Sequence, residues 1–120
     1  MRPPITIQLD RDDARYVPGE PVTGRVSWRF DHSPERVVVR LRWHTSGKGS
    51  RDTGVAEALT WEPVSSRDER AFSFAGLDGP YSFSGRLISV NWLVEAVAEG
   101  VGGQAELGFT LSPTGEEVRP

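Results

Sequence analysis

Few residues in this 120-residue chain are spaced for chemistry. Ser46-Gly-Lys-Gly-Ser50 has the flavour of a phosphate loop, but a Walker motif needs a glycine five residues before the Gly-Lys pair and a helix after it, and neither is found. The segment reads instead as a glycine-rich hairpin tip. Lys48 and Arg51 stand on it, and Arg40, Arg42 and His44 lead into it, so weak contact with an anion or a protein partner is the chemistry it offers. Asp10, Asp12 and Asp13 could supply oxygen ligands to Ca²⁺, yet the glycine and distal glutamate of an EF-hand loop are missing, and solvated loop acids are the default. His32 and His44 lie in different elements with no spaced His or Cys partner, so no metal or other cofactor is expected. There is no G-x-S-x-G elbow, H-E-x-x-H helix or dinucleotide fingerprint. The residues favour a protein without catalytic activity.

The four tryptophans have a different use. Trp28, Trp43 and Trp92 share parity with aliphatic neighbours and read as core. Trp61 is ambiguous. If it faced outward near Tyr81 or the 45–53 loop, the aromatics would form a sugar-binding platform.

The elements that must position these groups are strands. Over 86–98, Ile88, Val90, Trp92, Val94 and Ala96 alternate with Leu87, Ser89, Asn91, Leu93 and Glu95, a period of two with one apolar and one mixed face. This is the expected central strand. Pro3 and Pro4 deliver the chain to a short edge strand of Ile5, Ile7 and Leu9. Residues 10–16 read as a polar connection and Val17-Pro-Gly-Glu20 as a turn with Gly19 at positive φ. Val22, Val26, Trp28 and Phe30 then share a face with Gly24. Val37, Val39, Leu41 and Trp43 alternate with Val38, Arg40, Arg42 and His44, the latter forming a basic outer face. Over 54–63, Val55, Leu59 and Trp61 share parity with Glu57 in a second edge strand. Residues 65–70 read as polar, Phe72 and Phe74 mark a short strand, and a turn at 100–103 leads to Ala105, Leu107, Phe109 and Leu111. The predicted core is Val22, Val26, Trp28, Val39, Leu41, Trp43, Phe72, Phe74, Ile88, Val90, Trp92 and Val94.

No stretch has a helical period. About seven strands separated by turns predict an all-β, immunoglobulin-like antiparallel β-sandwich, one domain over 1–120 with loose termini at 1–4 and 112–120. A formal charge of −3 argues against nucleic acid, and no apolar run is long enough to span a membrane. With no cysteine, disulfides and thiol chemistry are excluded, which fits a cytoplasmic protein.

The run Tyr16-Val-Pro-Gly-Glu-Pro-Val-Thr-Gly-Arg-Val26, with Ile5–Leu9 before it and the approach from Phe74 to Ser84 into a long Trp-containing strand, resembles the amino-terminal sandwich of arrestins and arrestin-related proteins. The resemblance implies a non-catalytic scaffold that binds protein partners through loops and strand edges. Two departures qualify it. Only one sandwich is encoded here, and the first strand leads into Leu9-Asp10-Arg11-Asp12-Asp13 in place of a lysine pair, so phosphoreceptor binding is not implied. Partner contact is expected at Arg40, Arg42, His44, Lys48, Arg51, Trp61 and Tyr81. A single lobe would complete a paired surface through an edge strand, as a symmetric homodimer or with another protein. The alternatives are a carbohydrate-binding module and a small hydrolase with a polar cleft.

Overall fold

The computed structural model describes residues 3–17, 19–47, 53–75, 83–84 and 88–111, with the side chains of 46–47, 83–84 and 88–90 excepted. Lys48, Arg51, Tyr81, the side chains of Ile88 and Val90, and the 112–120 tail lie outside that description.

Among the described residues nine strands follow in order: β1 (Ile5–Leu9), β2 (Arg15–Tyr16), β3 (Val22–Arg29), β4 (Arg36–Gly47), β5 (Thr53–Trp61), β6 (Arg67–Phe74), β7 (Phe83–Ser84), β8 (Ile88–Glu99) and β9 (Gly103–Leu111). They form two sheets, ordered β1-β3-β6 and β2-β9-β8-β4-β5, with β7 against β8. This is an all-β sandwich of immunoglobulin-like, arrestin-type architecture. It measures 47 × 31 × 26 Å along its principal axes.

The alternation seen in the sequence sorts residues between the layers. On β3 the buried set is Val22, Gly24, Val26 and Trp28, facing Val37, Val39 and Leu41 of β4, Trp92, Val94 and Ala96 of β8, and Phe109 and Leu111 of β9. Gly24 is buried because nothing larger fits: a Cβ there would stand 2.3 Å from the Gln8 carbonyl oxygen and 2.8 Å from the Phe72 ring. The turn after β2 forms as its residues require. The Glu20 N–H donates to the Val17 carbonyl at 3.1 Å and Gly19 takes φ +84°.

Several expectations are corrected. Tyr16, read as part of a polar connection, is buried at 1% exposure, and β2 pairs with β9 in parallel, so the sandwich is not wholly antiparallel. The strand containing Phe72 and Phe74 begins at Arg67; its polar first half pairs with β3 as a sheet edge, which tolerates charge. β4 continues through Thr45 to Gly47 because β8 supplies partners as far as Ile88. Trp43 is half-buried, its indole lying over Gly54 directly across on β5; a Cβ at Gly54 would stand 2.5 Å from the ring. Val55 does not share a face with Leu59 and Trp61. A bulge opposite Leu41 and Arg42 inserts Ala56, returning Val55 to the outer face at 53% exposure.

Candidate functional site

β4 and β8 run antiparallel in register, so each outward side chain of one strand stands beside one of the other. Arg36 lies across from Glu99 and Arg40 across from Glu95, and β4's arginines thereby meet β8's glutamates. Arg36 bonds Glu99 at 3.1 Å and Glu62 of the chain beyond β5 at 2.9 Å, and these carboxylates raise its pKa above the ordinary guanidinium value, Glu62 contributing most. Arg40 and Arg42 converge on one carboxylate. Arg40 Nη1 donates to Glu95 Oε1 at 3.2 Å and Arg42 Nη1 to Oε2 at 2.9 Å, while Gln104 Nε2 adds 3.3 Å to Oε2. The Glu95 side chain is 4% exposed although it points away from the core, because the arginine stems and Gln104 cover it. The basic outer face expected from β4 alone is thus partly neutralised by its neighbour: Arg40 and Arg42 share the one carboxylate of Glu95, while Arg42 itself stands across from Leu93.

His44 stands across from Asn91 at the far end of the same face. It borders an open depression of about 620 Å³ shared with Asp13, Leu93, Glu106 and Thr110. Asp13 is already engaged: it accepts from the Arg15 backbone N–H at 3.1 Å and from Arg11 at 3.2 Å, and its pKa is lowered chiefly by that backbone bond. Arg11 also pairs with Glu20 and lies 5.6 Å from the centroid of the Tyr16 ring. Among the described residues no group of three His, Cys, Asp or Glu side chains is placed to hold a metal ion.

Trp61 is half-buried on the inner side of β5, its ring stacked on Trp28 at 5.9 Å and faced by the Arg70 guanidinium at 6.0 Å. The exposed large apolar residues among those described are Val17 and Val55, neither aromatic. Of the expected contact residues, Arg40, Arg42 and His44 therefore share one sheet face, Trp61 belongs to the core margin, and Lys48, Arg51 and Tyr81 lie outside the described residues. Glu95 was not singled out by sequence reading. Its signal was a lone acid on the mixed face of the central strand, and only the register with β4 gives it meaning.

Among the described residues the four outermost strands of the two sheets differ. β6 carries Arg67, Asp68, Glu69 and Arg70, β2 is two residues long, and β1 is five. β5 offers nine residues with one charge, Glu57, and Val55 to Ala58 are all exposed.

No family model matches the chain, and no curated protein matches its sequence. Among solved structures it is similar to Spo0M, the sporulation control protein of Bacillus subtilis, with a TM-score of 0.58 and 18% identity over 90% of this chain and 48% of that one. The fold is arrestin-like. The chain spans about half the length of Spo0M.

Proposed function

We propose that this domain is a non-catalytic interaction or scaffold module, related to the arrestins and working in the cytoplasm, that receives a protein partner along β5. The observation that carries the reading is the β5 edge. Edges meant to stay free are short, charged, bulged or covered; β5 is long, carries one charge in nine residues and one bulge, at Ala56, and among the described residues no strand pairs with its outer row of N–H and C=O groups, which can accept an added strand. The partner is a different protein rather than a second copy: β5 is centred on Glu57, and symmetric pairing about that residue would set two glutamates against each other. A lysine or arginine of another chain opposite Glu57 relieves this. The sugar-platform reading has less support, since Trp61 is stacked on Trp28 and the described residues present no exposed aromatic row.

The test pairs affinity capture from native cells with an Ala56→Lys/Ala58→Lys variant, which charges the edge without touching the core. A partner retained by the parent chain and lost by the variant is expected. Equal retention by both, or retention on polysaccharide with no protein partner, would overturn the reading. Light scattering at tens of micromolar should give a mass near 13.2 kDa, and a stable dimer abolished by the variant would instead assign the edge to a second copy.

A further inference from the structure

The outer face of the three-stranded sheet holds a juxtaposition that the fold does not need. β3 and β6 are registered so that Arg29 stands directly across from Arg67. The next pair along, Phe30 and Ser66, is joined by a backbone hydrogen bond of 2.8 Å from Phe30 N–H to the Ser66 carbonyl. Hydrogen-bonded and non-hydrogen-bonded pairs alternate in an antiparallel ladder, so Arg29 and Arg67 occupy a non-hydrogen-bonded pair, the arrangement that brings opposed side chains closest. Both are exposed, and among the described residues neither side chain has an ion-pair partner. The two acids nearest in sequence are engaged elsewhere, Asp68 with Arg70 at 3.1 Å and Glu69 with Arg25 at 3.3 Å. Two like charges at directly opposed cross-strand positions disfavour the pairing.

These arginines border an open depression of about 1140 Å³ whose other walls include Pro3, Pro4, Thr6 and Ser27. Pro4 is fixed beside Arg29 by the Arg29 N–H bond to its carbonyl at 2.8 Å. Thr6 and Ser27 are paired across β1 and β3 one row along the same face. The face therefore sets Arg29 across from Arg67, with Thr6, Ser27 and Glu69 in the next row and Pro3 and Pro4 at the end of β1.

We propose that the Arg29–Arg67 pair binds a carboxylate of an acidic, extended protein segment, a second contact surface distinct from the β5 edge. One carboxylate between two guanidiniums accepts charge-assisted bonds from both and removes their mutual repulsion. A phosphate is the poorer fit. Asp68 and Glu69 also border the depression, and they repel a dianion about twice as strongly as a monoanion.

The test uses the intact chain, arginine Nε–Hε spectra, and acetyl-hexaglutamate amide as the probe. Saturable shifts at Arg29 and Arg67 are expected, with none from the hexaglutamine analogue. Arg29→Gln and Arg67→Gln should each weaken binding about fivefold or more, whereas Arg15→Gln, which removes an exposed cation from the other sheet, should weaken it less than about twofold. Arg29→Lys/Arg67→Lys, keeping charge but losing the fork, should fall between. An unchanged Trp28 indole N–H resonance certifies the fold of each variant. Equal weakening by Arg15→Gln would reduce the effect to net charge, and shifts produced by inorganic phosphate but not by hexaglutamate would replace the carboxylate with a phosphate; either result, or no shift at all, overturns the proposal. Because Ala56→Lys/Ala58→Lys leaves this face untouched, it should bind the probe like the parent, which separates failure here from failure at the β5 edge.

Discussion

Trp28 of β3 and Trp61 of β5 stack across the two sheets with ring centroids 5.9 Å apart and planes 28° from parallel. Trp28 is the buried member, at 3% exposure, and its indole N–H donates to the Ser65 carbonyl at 2.8 Å. Trp61 is the half-buried lid over it. Trp28→Ala should therefore cost about 3 to 5 kcal/mol in urea unfolding, and Trp61→Ala distinctly less, about 1 to 2 kcal/mol. Equal losses would mean that Trp61, too, fills the core.

The Glu95 cluster predicts an asymmetry. Glu95→Gln removes a carboxylate but leaves Arg40 and Arg42 with side chains 40% and 31% exposed, able to turn to water, so the loss should be about 1 to 2 kcal/mol. Arg40→Gln/Arg42→Gln leaves the carboxylate with Gln104 as its remaining charge-neutral donor, but the shorter side chains also let water reach it, so the cost should be about 2 to 3 kcal/mol. Urea midpoints in the reverse order would refute the ion cluster as drawn.

The Tyr16 hydroxyl is buried and has no hydrogen-bond partner among the described residues. Its ring meets Phe109 edge-on at 5.6 Å, and that contact survives loss of the oxygen. Tyr16→Phe should accordingly stabilise the domain by about 1 kcal/mol.

Burial raises the Tyr16 pKa above the ordinary value of 10.0, opposed by the nearby Arg11 charge. The sign follows from linkage: the folded phenol holds its proton where the unfolded one has released it. Stability contributed by the protonated phenol is complete below the unfolded value and is lost as pH rises from there through the folded pKa. Thermal melts of the parent chain should fall more steeply above pH 10 than those of Tyr16→Phe. Parallel curves would place the hydroxyl in contact with water.

Arg67→Glu exchanges a like-charge pair for a cross-strand ion pair with Arg29. The melting temperature should rise by about 2 °C while binding of the hexaglutamate probe is abolished. A fall in melting temperature would show that the two guanidiniums do not oppose each other in the unliganded sheet.

Strand parity was the legible part of this chain, since alternation alone assigns Val22, Val26, Trp28, Val39, Leu41, Phe72, Phe74, Trp92 and Val94 to the interior, and all are buried. What parity cannot carry is register. Val55 left its expected face because of one inserted residue, Ala56, which no glycine or proline marks. Trp43 is half-buried because Gly54 happens to stand opposite, and Glu95 is covered because Arg40 does. Arg29 and Arg67 read separately as solvated charges, one ending a strand and one in a polar stretch. Their adjacency exists only once β3 and β6 are aligned. Tyr16 was hidden for another reason: a two-residue strand is too short for any period to show.

The parallel pairing of Arg15 with Thr110 and Tyr16 with Leu111 makes β9 the partner of a segment made almost a whole chain earlier. On the ribosome, β1, β2 and β3 emerge long before β9, and the large sheet must wait with an open β8 flank until β9 arrives. Contacts of this sequence separation slow folding through the entropy of closing the intervening loop. A nascent chain stalled before Gly103 should therefore remain protease-sensitive around Tyr16, and protection there should come late, with the synthesis of Phe109 to Leu111.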